Sequence, residues 1–266
     1  MTSEALLELQ ALAVRLRRDC PWDREQTAKT IVPHTIEEAY EVADAALRDD
    51  DAKLLDELGD LLFQVVFLAL LLEERGAGDL EQVAREIHAK LVRRHPHVFG
   101  AVEAETAGRV RQNWEQIKVD QEGREGIFHD VPETLPALLL ARKAQRRAAA
   151  VGFDWPDSAG PLAKVEEELQ ELRAEVGRAG EPAPESEPDG RVVDELGDIL
   201  FSAVGAAIKL NVDPELALRR TTQRWIERVE QAEQLAAASG EEWRSLDLEA
   251  QDRYYDQAKS TKESPR

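Results

Sequence analysis

Apolar residues along this chain recur at intervals of three and four, the spacing that builds one face of a helix. Leu, Ala, Glu and Arg dominate, and all four favour helix. The pattern predicts helices over about 3–18, 35–49, 52–75, 79–94, 106–121, 134–150, 161–178, 190–210, 213–238 and 247–259, with no strand, so the fold class is all-α. The run Leu61–Leu72 (LLFQVVFLALLL) is the most apolar, but Asp60 and Glu73 bound it after 12 residues. That is too short to cross a bilayer and predicts a buried core helix or a dimer helix. Pro132 and Pro136 punctuate the middle of the chain. The stretch Gly177–Gly190 (GRAGEPAPESEPDG) carries little apolar surface and reads as a mobile loop.

The helical pattern also repeats. Residues 56–63 read DELGDLLF and residues 194–201 read DELGDILF, identical at seven of eight positions. IEEAYEV (36–42) precedes the first and VEEELQEL (165–172) the second. Lys90 and Arg94, four apart, follow the first; Arg224 and Arg228, also four apart, follow the second. CPWD (20–23) corresponds to GFDWP (152–156), and NWEQIK (113–118) to YYDQAK (254–259). A tandem duplication accounts for this order, with modules at 1–125 and 126–266.

The conserved spacing within the repeat concerns carboxylates. Glu38 and Glu41 are spaced i, i+3, as are Glu57 and Asp60, so each pair leaves one face of its helix. Two such helices packed antiparallel bring four carboxylates together. Glu168, Glu171, Glu195 and Asp198 repeat the arrangement. In an acidic chain a single ExxE is usually a solvated helix face. Packing alone explains Leu58, Leu61, Leu62 and Phe63, but not carboxylates placed beside that apolar run in both copies. Four converging carboxylates need a cation. Oxygen ligands without histidine or thiolate favour Mg²⁺, with Mn²⁺ as the other candidate. The cationic pairs that follow suit phosphate.

Composition narrows the partners. Of 266 residues, 54 are Asp or Glu and 34 Lys or Arg, a formal net charge of −20. Such a chain repels nucleic-acid backbones, so bulk nucleic-acid binding is not expected. One cysteine, Cys20, excludes an internal disulfide and fits a reduced cytoplasmic setting. The N-terminus lacks a signal-peptide layout. His34, His88, His95, His97 and His129 show no metal-ligand spacing with a carboxylate. Trp22, Trp155 and Trp225 read as core or interface anchors rather than base-stacking residues.

At these residues the sequence resembles the MazG family of all-α nucleoside triphosphate pyrophosphohydrolases, in which ExxE is followed after a spacer by ExxD. The spacers here hold 15 residues (42–56) and 23 residues (172–194). CPWDREQT, RRHPHVFG (93–100) and KAQRRAAAVGFDW (143–155) are similar to the long, two-module bacterial members. The resemblance implies two helical-bundle modules, a homodimer and Mg²⁺-dependent hydrolysis of (deoxy)nucleoside triphosphates to a monophosphate and pyrophosphate. It further implies broad base specificity and a role in cleaning the nucleotide pool. By motif match Glu168, Glu171, Glu195 and Asp198 are the metal ligands of the working C-terminal module, while Glu38, Glu41, Glu57 and Asp60 form a complete second set. Arg224 and Arg228 face the triphosphate, Tyr255 lies against the base, and Lys118 contributes from the first module. The family has Lys where this chain has Arg224.

Three other readings stay open. A di-iron protein of the ferritin type would need Glu-x-x-His pairs, which neither copy has. A nucleotide-sensing or partner-binding helical dimer would bind without turnover. A narrower enzyme would act on dUTP or phosphoribosyl-ATP.

Overall fold

The structure, a computed structural model, describes residues 2–100, 126–128, 131–180 and 187–262. The chain divides into two compact units, Met1–Trp114 and Glu115–Arg266. The helix expected over 106–121, the Trp114 and Lys118 positions, His129 and the chain just before the expected module boundary at 125/126 lie outside the described residues. Among the described residues every regular element is helical.

The first unit comprises α1 (Thr2–Asp19), α2 (Pro21–Glu25), α3 (Ala28–Leu47), α4 (Asp51–Glu73), α5 (Leu80–Arg94) and α6 (Pro96–Phe99). Helix α3 begins well before the expected residue 35. Thr27 and Thr30 form a reciprocal capping box that starts the helix, which then runs through Pro33. Pro33 lies past the first turn, so it removes the backbone donor that would bond the Lys29 carbonyl, yet the helix continues through it. α3 and α4 pack together as a hairpin. The turn between them places Asp49 at φ 54°, and the Asp50 side chain accepts from Lys53 N at 3.0 Å to start α4. The core is Ile31, Phe67 and Leu71, with Phe63 and Leu68 packed against it. The apolar run 61–72 is thus half core: Val66, Phe67, Ala69 and Leu71 are buried, while Leu62 and Val65 are exposed. No helix among the described residues is long and apolar enough to cross a membrane.

Arg17 ties α1 to this hairpin. Its Nε and Nη2 donate to the two carboxylate oxygens of Glu74 at 2.7 and 2.8 Å, and its Nη1 donates to the Asp23 and Gln26 carbonyls. This fork-to-fork geometry is the stronger kind of surface ion pair.

The second unit comprises α7 (Ala137–Ala150), α8 (Ala159–Ala179), α9 (Gly190–Lys209), α10 (Pro214–Ala238), a 3₁₀ turn (Trp243–Ser245) and α11 (Leu248–Lys262). α8 packs on α9, α7 on α9 and α10, and α10 on α11. The buried positions are mostly small: Ala206, Ala232, Ala236, Ala250 and Ala258, with Val204. The stretch expected as a loop over 177–190 is helical at both ends. α8 runs to Ala179, Gly180 terminates it at φ +75°, and Gly190 opens α9 under an Asp189 cap. The intervening 181–186 lie outside the described residues.

Candidate metal centre

Each helical hairpin brings carboxylates from its two helices to one place. In the first unit Glu38 and Glu41 on α3 meet Glu57 on α4, each offering an oxygen within 4.8 Å of the others. In the second, Glu168 on α8 meets Glu195 and Asp198 on α9 on the same criterion. The fourth member of each set stands just outside its trio. Asp60 is close enough to push the Glu38 carboxyl upward. Glu171 is close enough to act on the carboxyls of both Glu168 and Glu195.

The electrostatics are those of anions forced together. Burial, then the neighbouring Asp60, Glu41 and Glu57, raises the Glu38 carboxyl above the ordinary range. Glu57 raises that of Glu41. Burial, then Glu171, Glu168 and Asp198, raises that of Glu195. Like charges at this spacing disfavour ionisation unless a cation joins them. The second site also contains an orphan: Glu195 Oε2 is buried without a hydrogen-bond partner. A buried carboxylate oxygen left unmade is costly, and a hard cation satisfies it. The donor set is all oxygen, so it fits Mg²⁺ or Mn²⁺.

Two cations already touch these sites, from opposite helices. Lys53 on α4 pairs with Glu57, which is only 1 % exposed. Lys164 on α8 pairs with buried Glu168 at 2.6 Å and with Glu167 at 2.8 Å. The Lys164 hydrogen bond pulls the Glu168 carboxyl downward, against the trend of its neighbours. Sequence reasoning missed both lysines. Their signal was a lysine four residues before the glutamate, a spacing that puts both on one helix face.

The remaining expected residues are placed as follows. Arg224 and Arg228 lie one turn apart on α10; Arg224 is exposed with Nη2 3.5 Å from Thr221 Oγ1, and Arg228 is half-buried. Lys90 and Arg94 are half-buried on α5. Tyr255 lies on α11 with the Lys259 ammonium 4.8 Å from its ring centroid. Trp22 and Trp155, expected as anchors, are half-exposed; Trp22 meets His34 edge-on with centroids 5.7 Å apart.

Fold and site together define an all-α protein with an acidic cluster built between two helices in each unit. Comparison with known proteins names the class. The MazG nucleotide pyrophosphohydrolase domain matches residues 26–99. A nucleoside triphosphate pyrophosphohydrolase of Escherichia coli K12 is 42 % identical over 243 residues, 90 % of this chain and 90 % of that protein. A nucleoside triphosphate pyrophosphohydrolase/pyrophosphatase MazG of Thermotoga maritima is 39 % identical over 261 residues, covering 97 % of this chain and 96 % of that one. The chain belongs to the MazG family of nucleotide pyrophosphohydrolases, and it is a hydrolase of that family.

Proposed function

We propose that this protein hydrolyses ribo- and deoxyribonucleoside 5′-triphosphates with Mg²⁺, at a site built on α8 and α9. One water is added, the bond between the α-phosphorus and the bridging oxygen to the β-phosphorus breaks, and a nucleoside monophosphate and pyrophosphate leave. The observation that carries this reading is the Glu168–Glu195–Asp198 cluster with its unpartnered Glu195 oxygen, in a chain of this family.

Glu168, Glu171, Glu195 and Asp198 would hold the ion, whose chemistry is charge neutralisation on phosphate oxygens and polarisation of water. A carboxylate of the set takes the proton of the attacking water. Arg224, Arg228 and Lys118 meet the phosphates, and Tyr255 lies against the base. Guanidinium forks suit the charge that builds on departing pyrophosphate. No nucleophilic side chain is required. The two units are read as tandem copies, with Glu38, Glu41, Glu57 and Asp60 as a second metal set.

The protein is further proposed to work as a homodimer. Leu55 and Leu58 on α4, and Val193, Leu196 and Leu200 on α9, are large apolar side chains left exposed along the paired helices. Faces of this kind are covered in stable assemblies. Broad base use and cytoplasmic removal of surplus triphosphates complete the reading.

The test is pyrophosphate release over eight common NTPs and dNTPs with Mg²⁺, using wild type, Glu57→Gln and Glu195→Gln. Glu195→Gln is expected to lose most activity and Glu57→Gln to keep more. Full activity in Glu195→Gln would overturn the assignment to the second unit, and tight nucleotide binding without pyrophosphate release would favour a sensor.

A further inference from the structure

Two corresponding positions meet in both hairpins. Ile31 stands seven residues before Glu38 and Phe67 ten after Glu57, and the two share the core of the first unit. Pro161 stands seven residues before Glu168 and Gly205 ten after Glu195, and a Cβ on Gly205 would lie 3.4 Å from Pro161 Cβ. The second hairpin therefore crosses at the same place with a glycine where the first has a phenylalanine. A third helix fills the missing volume. Gln145 on α7 puts its amide into the notch: Nε2 donates to the Phe201 carbonyl at 2.8 Å, and Oε1 lies 2.9 Å from where a Gly205 Cβ would stand. Among the described residues nothing lies within 4 Å of that position on Gly190 or Gly197, the other glycines of α9.

This junction sits two turns from the carboxylates on both helices. Gly205 follows Asp198 by seven residues and Pro161 precedes Glu168 by seven, about 10 Å along each axis. Pro161 is fully buried, which fixes α8 at this point. α7 is anchored in turn, since Arg142, one turn before Gln145, pairs with Asp213 at the start of α10. The Gln145 side chain also borders a cavity of about 500 Å³ walled by Phe128, Phe153, Trp155 and Phe201. Beside that open space, no packed side chain stands ready to take the place of the amide. A glycine lets helices approach closely but does nothing to oppose their sliding, whereas a hydrogen bond to a fixed carbonyl is directional. In the first unit bulk holds the crossing; in the second a directional polar contact does.

We infer that Gln145, seated in the Gly205 notch, is a positioning residue for the reaction: it sets the register of α9 against α8 and so the aim of Glu195 and Asp198 at Glu168. The inference rests on the proposed metal-dependent reading of that cluster and adds what holds its geometry. A misplacement of about 1 Å is enough to loosen such a site or to slow the chemistry it supports.

The experiment compares full-length wild type, Gln145→Ala, Gly205→Ala and the double variant. Three quantities are measured: kcat and KM for dATP with Mg²⁺, the urea denaturation midpoint, and Mn²⁺ binding by electron paramagnetic resonance without nucleotide. The Mn²⁺ measurement uses a Glu57→Gln background, which removes a ligand of the other carboxylate set. Gly205→Ala replaces a glycine inside a helix, so its urea midpoint should hold or rise. Its kcat should nevertheless fall about tenfold, with KM for dATP within about twofold of wild type. Mn²⁺ affinity should drop about tenfold, with a changed line shape. Gln145→Ala should show the same losses, and the double variant should be no worse than either, because both changes act through one contact. Losses that multiply in the double variant, activity that merely follows the urea midpoint, or an unchanged kcat and Mn²⁺ signal in Gly205→Ala would overturn the inference. If wild type releases no pyrophosphate, the triphosphate reading fails by itself, and the Mn²⁺ measurement still decides whether the junction aims the carboxylates.

Discussion

Lys164 Nζ lies 2.6 Å from Glu168 Oε1, so the most buried carboxylate of the second site is already neutralised on one side by a lysine of its own helix. That ammonium competes with any cation for the same anion. It also lets the metal-free site fold without four uncompensated charges.

Replacing the lysine should therefore tighten metal binding. Lys164→Met is expected to bind Mg²⁺ or Mn²⁺ about two- to fivefold more tightly, the scale of a half-exposed ion pair. Titration of the full chain by calorimetry checks this. Weaker binding would show that the lysine positions Glu168 rather than competing for it.

The pH dependence of the metal-free protein has a defined sign. Glu38, Glu41 and Glu195 are raised above 4.5 in the fold. Their ionised forms cost stability at neutral pH, and that cost disappears as pH falls through the raised values. Glu74 and Glu168 are lowered below 4.5, by Arg17 and Lys164. They contribute stability above 4.5 that is lost as pH falls through their lowered values. The metal-free melting temperature should rise as pH falls from neutral towards the raised values of Glu38, Glu41 and Glu195, and drop once pH passes below 4.5 towards the lowered values of Glu74 and Glu168. Saturating Mg²⁺ should flatten the rise, and calorimetric scans with and without it measure both limbs.

What the sequence made legible follows from local geometry. The i, i+3 carboxylates of Glu38–Glu41 and Glu195–Asp198 declare a helix face by spacing, and the repeat declares that a pair of such helices meets. Which atoms meet is decided by side-chain reach and by burial, which spacing does not carry. So Asp60 and Glu171 stand just outside their trios, and Lys53 and Lys164 enter from opposite helices although the repeats are alike. The aromatic cavity was hidden for a related reason. Phe128, Trp155 and Phe201 are far apart in the chain, and Trp155 read alone looks like a core anchor. Only the packing of α7 and the turn after it against α9 brings them together around one cavity. The early start of α3 was masked by Pro33, a residue type that usually marks a helix boundary, whereas the Thr27–Thr30 capping box sets the start at Ala28.

Asp213 joins two tasks in one side chain. One oxygen accepts from Leu216 N at 3.1 Å as the cap of α10, and the other pairs with Arg142, whose Nε is buried without a hydrogen-bond partner. Asp213→Ala should lose the cap and strand the guanidinium, costing about 2–3 kcal/mol. Arg142→Met, which keeps the cap, should cost less. Urea denaturation midpoints of the two variants check the order.

Phe67 is 1 % exposed in the core with Ile31 and Leu71, its ring 5.8 Å from that of Phe63. Phe67→Ala should cost about 3–5 kcal/mol, read as a lowered denaturation midpoint. A change below about 1 kcal/mol, the scale of a surface substitution, would mean that this cluster is not the core of its unit.

The family match begins at residue 26, yet the Arg17 clasp lies upstream of it, on α1. A fragment cut to the matched boundaries would lose the strap that holds the end of α4, and would bare the side of α4 on which α1 rests. Trimming experiments should accordingly find that the smallest well-behaved fragment starts before Arg17, and a protease that nicks the Asp19–Pro21 joint should loosen the whole hairpin rather than release an idle tail.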